Sequence, residues 1–228
     1  MSSDPSKRPI RSFVIRAGRT TDSQRKALSA HWDDYAIPFA AKPLKVSDHF
    51  PGSDRLTVEI GFGMGDSLLE MAQQDPTANF LGIEVHRPGV GKLLHGITEH
   101  QVKNLKIICH DATEVIADCF PEQSIDNILV FFPDPWPKKR HHKRRIIQPG
   151  FVSLLSSRLK QGGHLHLATD WEQYAEHMME VLEQETTLSN AFGKGKYYED
   201  PARPQTKFEN RGRRLGHGVW DLLFKRIG

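Results

Sequence analysis

A glycine-rich turn beside an acidic strand end is the first feature of the sequence that could bind a ligand. Glu59 is followed by Gly61, Gly63 and Gly65, and then by an apolar helical stretch. Glycines let the backbone turn tightly and approach a ligand closely. The dinucleotide fingerprint GxGxxG would have its third glycine at position 66, but this chain has Asp66 there. Because that carboxylate would repel a pyrophosphate, the pattern favours a cationic ligand with an amino-acid group.

Two more acidic residues follow the next two expected strands. Glu84 ends the strand expected at 79–85, and Asp111 ends the one at 105–111. Ligands of open α/β sheets bind beyond the carboxyl ends of the strands. S-adenosylmethionine suits these positions: Glu59 could face its ammonium group, Glu84 its ribose hydroxyls and Asp111 its adenine. Each acid could instead be a solvated residue, and Asp111 could cap the next helix, which is compatible with adenine binding.

A second set of residues lies in a proline-rich loop that continues into a basic run. Residues 131–137 read FFPDPWP, and residues 138–145 read KKRHHKRR. The prolines stiffen the loop and would hold Asp134 and Trp136 at the mouth of the cofactor site. A rigid carboxylate, an aromatic plane and adjacent cations suit a base flipped from a nucleic acid, with the cations on phosphates. The alternative for the basic run is a solvated face or a localisation signal.

The positive charge of the chain is concentrated in two segments. The net charge is +3, but residues 138–145 contain six Lys and Arg, which leaves 25 Lys and Arg against 28 Asp and Glu elsewhere. Residues 1–30 add a second basic region. Localised charge of this kind indicates a polyanionic partner. We expect RNA contacts from the residues of the run, Arg140, His141, His142, Lys143, Arg144 and Arg145.

Strand-like and helical segments alternate along the chain, which predicts an α/β fold with a doubly wound, mainly parallel sheet. Strands are expected at 56–60, 79–85, 105–111, 125–132, 164–170 and 217–226. Helices are expected within 25–42 and at 67–74, 89–101, 112–120, 148–160 and 171–185, with Gly162 and Gly163 turning the chain. Residues 1–25 are interpreted as a mobile basic arm and residues 26–228 as a single domain.

Several classes of protein are disfavoured. No apolar run approaches the roughly 20 residues that cross a bilayer, and the first residues do not resemble a signal peptide. The chain has two cysteines, Cys109 and Cys119, which cannot build a disulfide framework or a zinc site. We therefore expect a cytoplasmic protein with no metal and no obligate protein partner.

Six segments together make the chain similar to a known family. They are RSFVIRAGRTT, EIGFGMGDSLLEMA, GIEVHRPGVGKLL, FFPDPWPKKRHHKRR, LATDWEQYAEHM and RPQTKFENRGRRLGHGVWDLLFKR. With them the sequence resembles the bacterial tRNA (guanine-N7-)-methyltransferases over nearly its whole length. The resemblance implies a class I, Rossmann-like methyltransferase fold, with a seven-stranded sheet ending in an antiparallel strand. It also implies S-adenosylmethionine as cofactor and a guanine in the tRNA variable loop as target.

The expected site combines the residues that the pattern and the resemblance supply. The cofactor set is Glu59, Gly61, Gly63, Gly65, Glu84, Asp111, Ala112 and Asp134. The substrate set implied by the resemblance is Lys138, Asp170, Thr206, Lys207, Phe208 and Glu209.

Guanine N7 has a free lone pair and no proton, so methyl transfer needs positioning and electrostatics rather than a general base. We expect Asp134 to be the catalytic residue, with Asp170 as the next candidate. Three alternatives remain: methylation of an exocyclic amino group, a non-catalytic RNA-binding protein, and a nucleotide-dependent oxidoreductase. The single D-P-W loop, the intact glycine turn and the missing third glycine, respectively, argue against them.

Overall fold

A seven-stranded sheet forms the centre of the computed structural model, which describes residues 11–14, 20–50, 52–205, 209 and 218–228. The strands are β1 (Leu56–Ile60), β2 (Asn79–Ile83), β3 (Leu105–Ile108), β4 (Ile125–Phe131), β5 (Leu159–Thr169), β6 (Leu188–Asn190) and β7 (Trp220–Arg226). Their order is β3-β2-β1-β4-β5-β7-β6. The first five are parallel, and β7 runs antiparallel to both β5 and β6. The expected fold class is confirmed.

Helices accompany the strands. They are α1 (Asp22–Tyr35), α2 (Asp66–Gln74), α3 (Arg87–Glu99), α4 (Ala112–Cys119), α5 (Pro149–Arg158) and α6 (Glu172–Gln184), with 3-10 helices at Val46–Asp48 and Lys139–Arg144. Every residue of β1 and β2 is buried, as expected for parallel strands covered on both faces. Within the described ranges, no helix is long and apolar enough to cross a membrane.

The strand order reverses between β1 and β4, which lie side by side at the middle of the sheet. The chain runs outward from β1 through β2 to β3, and then returns to β4 on the other side of β1. Glu59 of β1 pairs in register with Leu129 of β4. The glycine turn after β1 and the proline-rich loop after β4 therefore leave the sheet at one edge, where open α/β sheets bind ligands.

Four local features differ from the expectations. Helix α1 begins at Asp22, inside the segment interpreted as an arm, because Thr21 and Gln24 form a capping box. The turn expected at Gly162 and Gly163 is wrong: β5 already begins at Leu159, and Gly162, with φ 82°, lies inside it at a shift of register. Strand β6 was not predicted at its position, because so short a segment shows no alternating pattern of apolar and polar residues. The basic run forms a 3-10 helix that the sequence did not indicate.

Candidate cofactor and substrate site

A cavity of about 380 Å³ opens at the reversal of strand order. The glycine turn, the end of β2, the start of α4 and the proline-rich loop line it, together with Ser12 and Phe13 from the N-terminal segment. The cavity brings together most of the expected cofactor set, namely Glu59, Gly61, Gly63, Gly65, Glu84, Ala112 and Asp134. Residues far apart in sequence thus meet in one concave site.

The three glycines of the turn all have left-handed backbone conformations. Gly61, Gly63 and Gly65 have φ values of 75°, 58° and 77°, a region that side chains disfavour. A Cβ atom added at Gly61 or Gly63 would meet no atom within 4 Å, whereas one at Gly65 would lie 2.8 Å from Leu93 Cβ. The first two glycines therefore leave open space for a ligand, and the third allows α2 to begin against α3.

Gly89 is a supporting residue that the sequence analysis missed. A Cβ atom at this position, in the first turn of α3, would lie 1.9 Å from the Gly63 carbonyl oxygen. Only glycine allows this approach, so the backbone of α3 packs directly on the glycine turn. The small residues at the start of α3, in the run RPGVG, were the available signal.

The Glu84 carboxylate holds the glycine turn and also lines the cavity. One oxygen accepts from Gly63 N at 2.9 Å, and the other accepts from Val85 N at 2.7 Å and His86 N at 2.9 Å. The side chain that was expected to meet ribose hydroxyls thus fixes the glycine turn. Charge-assisted bonds of this kind are stronger than neutral ones.

Glu59 is a buried carboxylate with one oxygen to which no described residue donates a hydrogen bond. The residue is 4% exposed, and its Oε2 atom has no hydrogen-bond partner among the described residues. Burial, reinforced by the nearby Glu84, raises the pKa of Glu59 to about 8. A buried charge needs a partner to be stable. An ammonium group bound in the cavity would supply one, so this end of the site fits a cationic amino-acid moiety.

Asp111 caps helix α4. Its Oδ1 atom accepts from Thr113 N at 3.0 Å and from Thr113 Oγ1 at 2.8 Å. The neighbouring residues His110 and Ala112 line the cavity, whereas Asp111 is not among its lining residues. The helix-capping alternative is therefore realised, and an adenine contact by Asp111 stays a prediction.

The proline-rich loop holds Asp134 between two residues with unusual backbone conformations. Phe132 and Trp136 have φ values of 51° and 44°, a region that costs non-glycine residues of order 1–3 kcal/mol. Phe132 N donates to Ala168 O at 2.8 Å, which ties the loop to β5. Asp134 is exposed and lines the cavity. Its carboxylate therefore faces the space where a cofactor and a base could meet.

Trp136 lies under the basic run and against the N-terminal segment. The Arg144 guanidinium is 4.1 Å from the centre of the indole ring, and His141 meets the ring edge-on. Trp136 Nε1 donates to Ser12 O at 3.1 Å, and Arg144 Nε donates to Arg11 O at 3.1 Å. Residues 11–14 of the expected arm are thus part of the site, while residues 1–10 and 15–19 lie outside the described ranges.

The basic run divides into four exposed cations, the half-buried Arg144 and the buried Arg145. Lys138, Lys139, Arg140 and Lys143 are exposed. Desolvation, with the neighbouring cations, lowers the pKa of His141. Arg145, by contrast, is 3% exposed, so the expectation that its side chain contacts RNA needs correction. Its guanidinium faces the protein interior and is not presented to a phosphate.

The other expected substrate residues are only partly described. Asp170 is half-buried just beyond β5, and Thr206, Lys207 and Phe208 lie outside the described residues. Glu209 is 1% exposed and accepts from Arg203 Nη1 at 2.6 Å. Its carboxylate therefore belongs to a buried ion pair in this structure and does not face the cavity.

Arg203 is the centre of that buried charge cluster, and the sequence analysis did not single it out. Its guanidinium also donates to both oxygens of Asp221, at 2.6 and 2.7 Å, and Asp221 pairs with His166 at 2.8 Å. Burial opposes ionisation of Asp221, but the hydrogen bonds from Arg203 and His166 outweigh it and lower the Asp221 pKa. Arg203 also lies 5.3 Å from the ring centre of Phe131, beneath the proline-rich loop.

Comparisons with known proteins identify the class of protein to which this chain is similar. A family model described as "Putative methyltransferase" matches residues 53–222. A "tRNA (guanine-N(7)-)-methyltransferase" of Aeromonas hydrophila is 52% identical over 96% of this chain and 93% of its own length. The protein of the same name from Pasteurella multocida is 50% identical over 96% and 86%.

Solved structures show the same fold at low sequence identity. The aminoglycoside resistance methyltransferase NpmB1 superposes with a TM-score of 0.56 at 15% identity, covering 81% of this chain and 94% of that one. Fold and site together define a class I methyltransferase. The chain belongs to the tRNA (guanine-N7-)-methyltransferase family, as its relatives at about half identity show.

Proposed function

We propose that this protein transfers a methyl group from S-adenosylmethionine to N7 of a guanine in the variable loop of tRNA, in the cytoplasm. One observation carries the proposal. A single cavity joins Glu59, whose buried Oε2 atom has no partner among the described residues, to the loop that bears Asp134 and continues into the exposed cations. The names of the relatives support the reaction and the substrate.

The residues of the cavity fit the chemical groups of S-adenosylmethionine. Glu59 offers a buried carboxylate to the ammonium group, and the open backbone at Gly61 and Gly63 gives a ligand room to approach. Glu84, already fixed by backbone amides, would accept from the ribose hydroxyls, and Asp111 with Ala112 would meet the adenine. When bound, the cofactor supplies an electrophilic methyl group.

Asp134 is the residue that would favour attack by guanine N7. That nitrogen carries a lone pair and no proton, so a general base is unnecessary. A carboxylate that accepts from the imino and amino groups of guanine raises the electron density of the ring. It also rejects adenine, whose edge has the wrong donor pattern. The exposed Asp134 carboxylate at the cavity edge can do this, with Asp170 as the second candidate.

The exposed cations would bind the tRNA backbone without reading its sequence. Lys138 directly precedes the 3-10 helix that follows the proline-rich loop, and the exposed Lys139, Arg140 and Lys143 lie on that helix. Neutralising about four phosphates predicts a plot of log K against log salt with a slope of roughly −3 to −4. Lys138, the nearest of these cations to the loop in sequence, could meet guanine O6 or a phosphate. Residues 206–208 would complete the substrate site, with Glu209 held by its ion pair with Arg203.

The test is to map the product and then to change Asp134. The protein is incubated with tRNA and isotopically labelled S-adenosylmethionine, and the digested tRNA is analysed by mass spectrometry. We expect 7-methylguanosine in fragments of the variable loop. A label on an exocyclic amino group, or a label absent from tRNA, would overturn the proposed reaction.

Asp134→Asn keeps the shape of the side chain and loses its charge. Removal of one preorganised electrostatic element typically costs ~10²–10³ in rate, so single-turnover transfer at saturating tRNA and cofactor should fall by that factor. Asp170→Asn is the matched comparison. A folded Asp134→Asn protein within a few-fold of the wild-type rate would transfer the role to Asp170.

A further inference from the structure

Arg145 ends the basic run but lies behind the loop that carries Asp134. Its Nε atom donates to the Pro135 carbonyl oxygen at 2.9 Å. Pro135 is the residue between Asp134 and Trp136. A hydrogen bond therefore joins this guanidinium to the backbone of the loop between Asp134 and Trp136.

The remaining contacts of Arg145 fix its orientation from the protein interior. The centre of the guanidinium lies 4.7 Å from the ring centre of Tyr174 on α6, and Nη2 lies 3.3 Å from His142 Nε2. Tyr174 is itself fully buried, and its hydroxyl accepts from Ile147 N at 3.4 Å. Arg145 is therefore clamped between α6 and the loop.

The buried environment of Arg145 is energetically unfavourable for a cation. Arg145 makes no salt bridge with any described residue, and desolvation lowers its pKa. A buried charge held only by a carbonyl, an imidazole and a ring is a poor stabiliser of the fold. Such an arrangement indicates that the contact serves the loop geometry instead. Phe132 and Trp136, with their left-handed backbones, need a surrounding structure that holds them.

We propose that Arg145 is a positioning residue that holds the Pro135 carbonyl, and through it Asp134 and Trp136, in the geometry for methyl transfer. The inference rests on the proposed function, since it assigns a purpose to the placement of Asp134. It separates Arg145 from the exposed cations of the same run. The rigid guanidinium can donate from Nε while lying flat on an aromatic ring, which a lysine cannot do.

Arg145→Lys distinguishes this role from phosphate binding. Lysine keeps the positive charge, so a phosphate contact would survive, but it loses the Nε donor and the planar stack. We expect single-turnover transfer at saturating tRNA and cofactor to fall by about ten- to a hundredfold, because small misplacements of a reacting group have effects of this size. The affinities for tRNA and S-adenosylhomocysteine should stay within about twofold of wild type. All rates are taken well below the lowest melting temperature of the set.

The exposed Arg140 supplies the matched control for charge. Arg140→Ala should make the slope of log K against log salt shallower by about 0.7–0.9, the effect of one phosphate, whereas Arg145→Ala should leave the slope unchanged. A wild-type rate for Arg145→Lys, or a slope for Arg145→Ala that becomes shallower as it does for Arg140→Ala, would overturn the inference. Failure of the proposed function would appear differently, as wild-type protein that makes no 7-methylguanosine.

Discussion

Two regions of the molecule bury carboxylates, the cofactor cavity and the charge cluster around Arg203, and they differ in whether those carboxylates have partners. Glu59, at the cofactor cavity, has one oxygen with no partner among the described residues and a pKa raised to about 8. Asp221 and Glu209, behind the proline-rich loop, share the Arg203 guanidinium through three hydrogen bonds of 2.6–2.7 Å. The carboxylates of both regions are shielded from water, but only those beside Arg203 have a cationic partner in the described structure.

The difference separates a binding site from a structural support. Breaking a complete buried ion pair leaves an uncompensated charge, so the Arg203 cluster can serve to hold loops in place. A buried carboxylate without a cationic partner, such as Glu59, can instead pair with a ligand of opposite charge. Binding of that ligand then stabilises the folded protein. The missing hydrogen-bond partner of Glu59 thus indicates a binding site. The fully paired charges around Arg203 indicate a structural role, although they are more numerous.

The largest effect should come from Arg203→Met. This change removes the only cation that the described structure places on Asp221 and Glu209 together, and leaves two buried carboxylates. Loss of one partner of a buried pair typically costs ~3–5 kcal/mol. Urea unfolding at pH 7 measures the loss, and Arg158→Met, on α5, is the control for a general arginine effect. A variant as stable as wild type would show that the cluster is not a support.

Glu84→Ala should have the next largest effect, and on binding rather than folding. The change removes the acceptor of Gly63 N in the glycine turn, the acceptor of Val85 N and His86 N after β2, and the proposed contacts to the ribose. Loss of hydrogen bonds to a charged group costs on the order of 1.5–3 kcal/mol, and calorimetry should show this as weaker S-adenosylhomocysteine binding. Unchanged affinity would remove Glu84 from the cofactor site.

Glu59→Gln should stabilise the cofactor-free protein, the reverse of Arg203→Met. Because the folded-state pKa is above the unfolded one, the native protein holds an extra proton and loses stability as pH rises from about 4.5 to about 8. Glutamine removes that loss but leaves a buried amide that itself costs about 1–3 kcal/mol, so the free energy of unfolding at pH 8 should rise by a net amount on the order of 1–2 kcal/mol. Cofactor affinity should fall at the same time. A destabilised Gln variant would place Glu59 with the supporting charges.

Much of the fold and part of the site could be predicted from sequence, because they depend on local patterns. A short β-type run predicted β1, a nearly continuous apolar run predicted β4, and spaced glycines predicted the turn. Arg203 and Arg145 could not be recognised, since their roles depend on side chains 18 and 29 residues away, Asp221 and Tyr174. The prediction that Arg145 binds RNA is wrong because a run of basic residues in the sequence does not reveal which side chain is buried. Gly89 was missed because its partner, Gly63 O, is brought close only by tertiary packing.

The most direct test of the account is the proton balance of cofactor binding. S-adenosylhomocysteine is titrated by calorimetry at pH 7 in buffers of different ionisation enthalpy, for wild type and Glu59→Gln. With a Glu59 pKa of about 8, wild-type protein should release ~0.9 proton per ligand at pH 7 and less at pH 8.5, with affinity rising between them. The Gln variant should release almost none. Proton release that is absent from wild type, or equal in the two proteins, would contradict the assignment of Glu59 to the ammonium group.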